Sequence, residues 1–130
     1  PLFVTAILSG KPPTIYGDGG QSRDFIYVGN VVQGNLLAAE AAGAAGQVIN
    51  MAEGRQTSLL QLLEHLSNLL GKKVTPNFQP ARVGDVRESL ADITLARSLL
   101  GFEPQTNLET GLRQTIDYYR QLSEAKLGKA

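Results

Sequence analysis

The segment from Ser58 to Gly71 constrains the fold more than any other part of the sequence. Ser58 and Gln61 match a capping box, in which each side chain satisfies a free backbone N–H at the start of a helix. Leucines then recur at steps of three and four residues and cover one face of that helix: Leu59, Leu62, Leu63, Leu66, Leu69 and Leu70. Gly71 ends the helix. The chain has 130 residues, which is long enough to form one hydrophobic core around this helix.

Helices and short strands alternate along the rest of the chain. The further predicted helices cover residues 2–9, 31–42, 93–100 and 108–122, and the predicted strands cover 14–16, 25–28, 47–51 and 74–78. Asn30, Asp92 and Asn107 are the predicted helix caps. The turn at residues 17–20 requires a positive φ, and residues 80–90 read as a loop. The sequence therefore predicts an α/β fold with about five helices and about four short strands.

Composition excludes several classes of function. Twelve Lys and Arg balance twelve Asp and Glu, which leaves no electrostatic basis for binding nucleic acid or an anionic membrane. The chain has no Cys, which rules out disulfides, thiolate catalysis and Cys-ligated metals, and a single His is too few for a His-based metal site. No signal-peptide pattern opens the chain, and the absence of Cys fits a reducing compartment, so we expect a cytoplasmic protein.

Four blocks in a fixed order and spacing carry a resemblance to a known family. They read PLFVTAILSGKPPTIYGDGGQSRDFIYVGNVVQGNLLA, QVINMAEGRQTSLLQLLEHL, PARVGDVRESLADITLARSLLGFEP and NLETGLRQTIDYY. Together they resemble the NAD-dependent epimerase/dehydratase group of the extended short-chain dehydrogenases/reductases, nearest to UDP-hexose and in particular UDP-N-acetylglucosamine 4-epimerases. The resemblance implies that residues 1–124 are the substrate-binding C-terminal domain of such an enzyme, with a frayed tail at 125–130.

Two motifs of that family are absent from the sequence. No G-x-x-G-x-x-G follows a strand, and no Tyr has a Lys four residues later. We therefore expect the Rossmann NAD-binding domain and the acid/base pair to lie upstream of Pro1, which leaves this chain without a catalytic residue or a cofactor of its own. In the full-length family, the resemblance implies transient oxidation of the sugar by NAD at C4, while this part anchors the UDP end.

The resemblance also implies a set of ligand contacts for a UDP-sugar. Arg23 and Arg82 occupy the family's positions for diphosphate ligands, a role that suits the planar guanidinium. Asp85 occupies a ribose-binding position, and Thr14 and Tyr16 belong to the segment that lies along the uracil, with Tyr16 stacked on the base. The residues alone leave other interpretations open: an Arg23–Asp24 salt bridge, a capping role for Asp85, and a core position for Tyr16.

Three interpretations of the whole chain remain open at this point. It could be an inert fragment of an epimerase, a subunit of a split enzyme that needs a separate Rossmann chain, or a non-enzymatic module that binds nucleotides or protein. Apolar faces at residues 2–9 and 31–39 lead us to expect that the isolated chain self-associates. Asn30 stands where the family often has Asp, which casts doubt on any charge-based role of that position.

Overall fold

The computed structural model describes residues 1–127 of the chain. The helices are α1 (Leu2–Leu8), α2 (Val28–Glu40), α3 (Leu59–Leu70), α4 (Thr94–Leu100) and α5 (Leu108–Leu127). The strands are β1 (Thr14–Tyr16), β2 (Ser22–Asp24), β3 (Gln56–Ser58) and β4 (Asn77–Gln79). These elements confirm the predicted α/β class with five helices and four short strands within the described residues.

The chain divides into two compact units. Unit 1 combines residues 1–21, residues 58–87 and the stretch that begins at Leu112, and unit 2 combines residues 22–57 and 88–111. The assignment of residues 1–124 to one domain stays a prediction. The predicted frayed tail at 125–130 also stays a prediction, because α5 continues to Leu127 and residues 128–130 lie outside the described part of the chain.

Unit 1 is built on the leucine-rich helix. The Ser58 side chain accepts a hydrogen bond from the backbone N–H of Gln61 at 3.1 Å, and the Gln61 side chain accepts one from the Ser58 N–H at 2.9 Å. Gly71 ends α3 in the left-handed conformation, as predicted. The leucine face and its neighbours form the core of the unit: Val4, Ile7, Ile15, Leu62, Leu63, Leu66 and Ile116.

Parallel pairing joins the two strands of unit 1. Thr14 lies opposite Asn77, Ile15 opposite Phe78 and Tyr16 opposite Gln79. Only Ile15 of β1 is buried, so the side chains of Thr14 and Tyr16 share the exposed face of the strand. The bounds of β1 agree with the predicted strand at residues 14–16. The strand predicted at residues 74–78 is displaced, because β4 covers Asn77–Gln79.

Unit 2 has a core of its own, and two sequence predictions fail there. Its buried cluster contains Ala52, Ile93, Ala96, Leu100 and Phe102. The predicted strand at 25–28 is wrong, because β2 lies earlier in the chain and α2 already starts at Val28. The predicted strand at 47–51 is wrong as well, since these residues have no paired strand and Val48 is exposed.

Asn30 is not the helix cap that the sequence suggested. It lies inside α2, whose N-cap is Tyr27, and its side chain is buried. Asp92 accepts a hydrogen bond from Thr94 N–H at 2.8 Å, but the N-cap of α4 is Ile93 and not Asp92 as predicted. Asn107, directly before α5, accepts a hydrogen bond from Thr110 N–H at 2.9 Å. Within the described residues, none of the helices has the length and apolar character needed to cross a membrane.

Candidate functional site

The carboxyl ends of β1 and β4 in unit 1 are the first component of the candidate site. Because the strands are parallel, Tyr16 and the loop that follows Gln79 emerge at the same edge. The pairing continues one step further, where Gly17 N–H donates to the Gln79 carbonyl oxygen at 2.9 Å. Carboxyl edges of parallel strands are where ligands bind in open α/β sheets.

A tight turn after β4 carries two of the predicted ligand contacts. Asp85 N–H donates to the Arg82 carbonyl oxygen at 3.2 Å, which closes a four-residue turn. Gly84 occupies its third position with a φ of 81°, a conformation that glycine adopts without steric cost. The turn therefore places Arg82 and Asp85 at its two ends.

Arg82 and Tyr16 are in direct contact. The guanidinium carbon of Arg82 lies 3.8 Å from the centroid of the Tyr16 ring, a cation–π geometry. Tyr16 is 37% exposed, so its ring does not occupy the core position that the sequence left open. The exposed stacking arrangement brings a planar cation and an aromatic face together at the edge of β1 and β4.

Asp85 faces a residue that sequence reasoning missed. Gln21 is buried, and its Nε2 donates to the Tyr16 carbonyl oxygen at 2.6 Å and to Asp85 Oδ2 at 3.4 Å. Nothing in the local pattern distinguished Gln21 from an exposed loop residue. The one feature of the sequence that could have drawn attention to Gln21 is its position between a glycine-rich turn and a strand.

A second link ties the loop after β4 to the glycine-rich turn. Asp18 accepts a hydrogen bond from Gly20 N–H at 2.9 Å and from Arg87 Nη1 at 2.6 Å. The Arg87 guanidinium and then the Gly20 N–H lower the pKa of the Asp18 carboxyl below its ordinary value. Both side chains are largely exposed, so this pair orients the loop and adds little to stability.

The two remaining predicted contacts belong to different units. Thr14 is the first residue of β1 and is exposed. Arg23 belongs to β2 of unit 2, where it is half-buried and its Nη1 donates to the Ser22 carbonyl oxygen at 2.7 Å. Unit 1 thus brings together Tyr16, Arg82 and Asp85, while the role of Arg23 stays a prediction.

Two acidic residues of unit 2, Asp24 and Glu53, are linked through a loop, and Asp24 directly follows Arg23 in the chain. The Asp24 carboxylate accepts hydrogen bonds from the backbone N–H groups of Glu53 and Gly54 at 2.9 and 3.0 Å. Burial raises the pKa of Glu53 above its ordinary value, and its Oε2 is buried without a hydrogen-bond partner among the described residues. Asp24 thereby fixes the loop that carries Glu53.

The glycine-rich turn and the acidic side chains can be compared with known cofactor and metal sites. Gly17, Gly19 and Gly20 form a turn that leads into β2, whereas a dinucleotide pyrophosphate is held where a glycine-rich turn opens a helix. This turn therefore lacks the arrangement of a dinucleotide-binding turn. In the part of the chain that the structure describes, no group of three His, Cys, Asp or Glu side chains is arranged to hold a metal ion.

The names of several proteins of similar sequence and structure describe them as UDP-sugar 4-epimerases. A UDP-glucose 4-epimerase of Mycolicibacterium smegmatis is 37% identical over 123 residues, which are 95% of this chain and 39% of that protein. A UDP-glucuronic acid 4-epimerase from Bacillus cereus, solved in complex with UDP-glucuronic acid and NAD, is 36% identical and has a TM-score of 0.87. The match covers 93% of this chain and 39% of the epimerase chain. A UDP-N-acetylglucosamine 4-epimerase from Methanobrevibacter ruminantium has a TM-score of 0.87 at 38% identity and covers 94% and 39%.

The chain thus spans about two fifths of the length of these relatives. Their names include glucose, glucuronic acid and N-acetylglucosamine, so they confirm the predicted resemblance to UDP-sugar 4-epimerases without singling out one sugar. Residues 1–115 match the family described as GDP-mannose 4,6 dehydratase. This match covers most of the chain, which therefore belongs to the GDP-mannose 4,6 dehydratase family of nucleotide-sugar epimerases and dehydratases.

Proposed function

We propose that this chain is the UDP-sugar-binding part of an NAD-dependent nucleotide-sugar epimerase or dehydratase and that it is not catalytic alone. The observation that carries the proposal is the cluster of Tyr16, Arg82 and Asp85 at the carboxyl edge of β1 and β4. These residue types suit the three parts of a nucleoside diphosphate. Tyr16 receives the uracil ring, Asp85 accepts hydrogen bonds from the ribose hydroxyls, and Arg82 binds the diphosphate.

The stacked arrangement of Arg82 on Tyr16 is compatible with these roles because it is weak. An exposed cation–π contact contributes about 0.5–1 kcal/mol. A guanidinium hydrogen-bonded to phosphate gains about 1.5–3 kcal/mol per charged hydrogen bond. The diphosphate therefore draws Arg82 away from the ring, and the exposed face of Tyr16 becomes available to the base.

Calorimetric titration of the purified chain with UDP tests the proposal, and GDP is the matched ligand because the family description names a GDP-sugar. We expect saturable UDP binding that is at least about tenfold tighter than GDP binding, because a site formed around a pyrimidine leaves less room for a purine. Tighter binding of GDP would contradict the UDP assignment. A folded chain that binds neither nucleotide would contradict a preformed nucleotide site.

A second candidate function, association with another polypeptide, is favoured by the exposed face of α2. Val28, Val32 and Leu36 lie four residues apart on that face and are 65%, 52% and 63% exposed. The first apolar segment behaves differently, since Val4 and Ile7 of α1 are buried. Apolar helix stripes of this kind mark contact surfaces, which supports self-association or the docking of a separate NAD-binding chain.

Substitution of Val32 by Glu is expected to reduce self-association of the chain, because it places a charge in the middle of this stripe. Val48→Glu is the control, since Val48 is exposed but lies outside α2. Light scattering coupled to gel filtration gives the mass of each variant over a range of concentrations. A wild-type chain that stays monomeric at high concentration would rule out self-association through this face.

A further inference from the structure

Gln21 differs from every other residue near the candidate site because it is a buried polar side chain. It is 6% exposed, and its Nε2 makes a short hydrogen bond to the Tyr16 carbonyl oxygen at 2.6 Å and a long one to Asp85 Oδ2 at 3.4 Å. A side-chain amide nitrogen has two N–H groups, and these two acceptors use both. Its Oε1 is buried without a hydrogen-bond partner among the described residues.

The orientation of the Gln21 amide follows from its surroundings. A rotation by 180° would turn Oε1 toward a carbonyl oxygen and a carboxylate oxygen, neither of which can donate. Gln21 therefore acts as a donor toward both neighbours.

The backbone around Gln21 is fixed by the start of α3. Leu59 N–H donates to the Gln21 carbonyl oxygen and Leu60 N–H donates to the Gly19 carbonyl oxygen, both at 3.1 Å. The first N–H groups of a helix have no partner within it, so these bonds satisfy α3 and anchor the segment at once. The start of α3 thus holds the backbone of Gln21, whose side chain reaches both the end of β1 and the turn formed by residues 82–85.

We propose that Gln21 is a positioning residue that holds the Asp85 carboxylate at a fixed place relative to Tyr16, where it meets the ribose hydroxyls of the bound nucleotide. The inference rests on the proposed function, because Asp85 needs such a position only if it binds the ribose. Asp85 lies on an exposed turn, and restricting its side chain before binding lowers the entropic cost of binding. Gln21 itself makes no contact with the ligand in this proposal.

The test compares UDP with 2′,3′-dideoxy-UDP, which lacks both ribose hydroxyls, in calorimetric titrations of the full chain. Gln21→Met keeps the length of the side chain and removes its donors, and Gln114→Met is the control on the exposed surface of α5. We expect Gln21→Met to weaken UDP binding about tenfold and to leave the dideoxy analogue unaffected. If Gln21→Met weakened the binding of UDP and of the dideoxy analogue equally, the role of Gln21 would be merely structural and the proposal would be overturned. Unchanged UDP binding by Gln21→Met would overturn it as well.

Gln21→Glu gives a second, independent readout with the same shape of side chain. At neutral pH its carboxylate repels Asp85 and the Tyr16 carbonyl oxygen, so UDP affinity falls at least as far as in Gln21→Met. At lower pH the protonated carboxyl regains one donor, and the affinity relative to wild type rises. If the UDP affinity of Gln21→Glu relative to wild type did not change with pH, positioning of Asp85 by a hydrogen-bond donor would be contradicted. A folded wild-type chain that does not bind UDP overturns the proposed function and this inference together, whereas wild-type binding with unaffected variants overturns the inference alone.

Discussion

Substitution of Arg82 by alanine is expected to weaken UDP binding by a factor of about ten to a hundred. The substitution removes hydrogen bonds between a guanidinium and the diphosphate, which contribute about 1.5–3 kcal/mol each. The contact with the Tyr16 ring at 3.8 Å is lost too, but it exists only in the free state under the proposed mechanism and so does not favour binding. Titration calorimetry with UDP measures the change directly.

Two further variants make this measurement specific. Arg82→Lys keeps the charge and loses the planar pair of donors, so we expect an affinity between those of wild type and Arg82→Ala. Arg120→Ala removes an exposed arginine that pairs with Asp117 and should leave binding unchanged. Added salt should weaken UDP binding more in wild type than in Arg82→Ala, because screening acts on the exposed charge that the variant lacks. Equal affinities of wild type and Arg82→Ala would remove Arg82 from the site.

Arg23 requires a separate variant, because the sequence-based assignment is its only support as a phosphate ligand. Its Nη1 donates to the Ser22 carbonyl oxygen, and its side chain is half-buried, so Arg23→Ala can also disturb β2. Thermal unfolding of the variant separates a loss of folding from a loss of affinity. Unchanged affinity in a folded Arg23→Ala variant would restrict the diphosphate contacts to other residues.

Elements that depend on neighbouring residues were predicted well from the sequence. The capping box of Ser58 and Gln61, the leucine face of α3 and the stop at Gly71 all lie within one continuous stretch, and the structure contains each of them. The turn at residues 17–20 was also predicted to need a positive φ, and the structure has one at Gly17 and one at Gly19. Such features follow from short-range sterics and hydrogen bonding, which a single sequence displays.

Two predicted strands failed because a strand depends on a distant partner. Residues 47–51 have the β-branched content of a strand but no strand to pair with, and β propensity alone does not create a ladder. The run from Phe25 to Val28 is equally strand-like in composition, yet α2 begins at its last residue. Asn30 inside α2 accepts a hydrogen bond from Gln105, 75 residues away. Long-range hydrogen bonds leave no local pattern in the sequence.

The candidate site shows the same division. The resemblance pointed to Tyr16, Arg82 and Asp85, and the structure brings these residues together in unit 1. Gln21 escaped notice because its importance comes from burial between two segments 64 residues apart, not from a motif. Asp18 and Arg87 are likewise 69 residues apart, and no pattern in the sequence pairs them.

Loss of the Asn30 side chain is expected to destabilise the fold by about 2–4 kcal/mol. Asn30 is 1% exposed, donates from Nδ2 to the Thr106 carbonyl oxygen at 2.7 Å, and accepts at Oδ1 from the N–H groups of Gln105 and Thr106 at 3.1 and 3.0 Å. Asn30→Ala removes three hydrogen bonds of about 0.5–1.5 kcal/mol each and leaves their backbone partners unsatisfied. Urea denaturation followed by circular dichroism gives the change in the free energy of unfolding.

Two control variants separate hydrogen bonding from helix propensity. Asn35→Ala makes the same change at an exposed position of α2 and should alter the free energy of unfolding by less than about 0.5 kcal/mol. Asn30→Asp keeps the two accepted bonds but places a buried carboxylate oxygen against the Thr106 carbonyl oxygen, so it should also be less stable than wild type. If Asn30→Ala were as stable as Asn35→Ala, the three bonds would not hold α2 to residues 105–106.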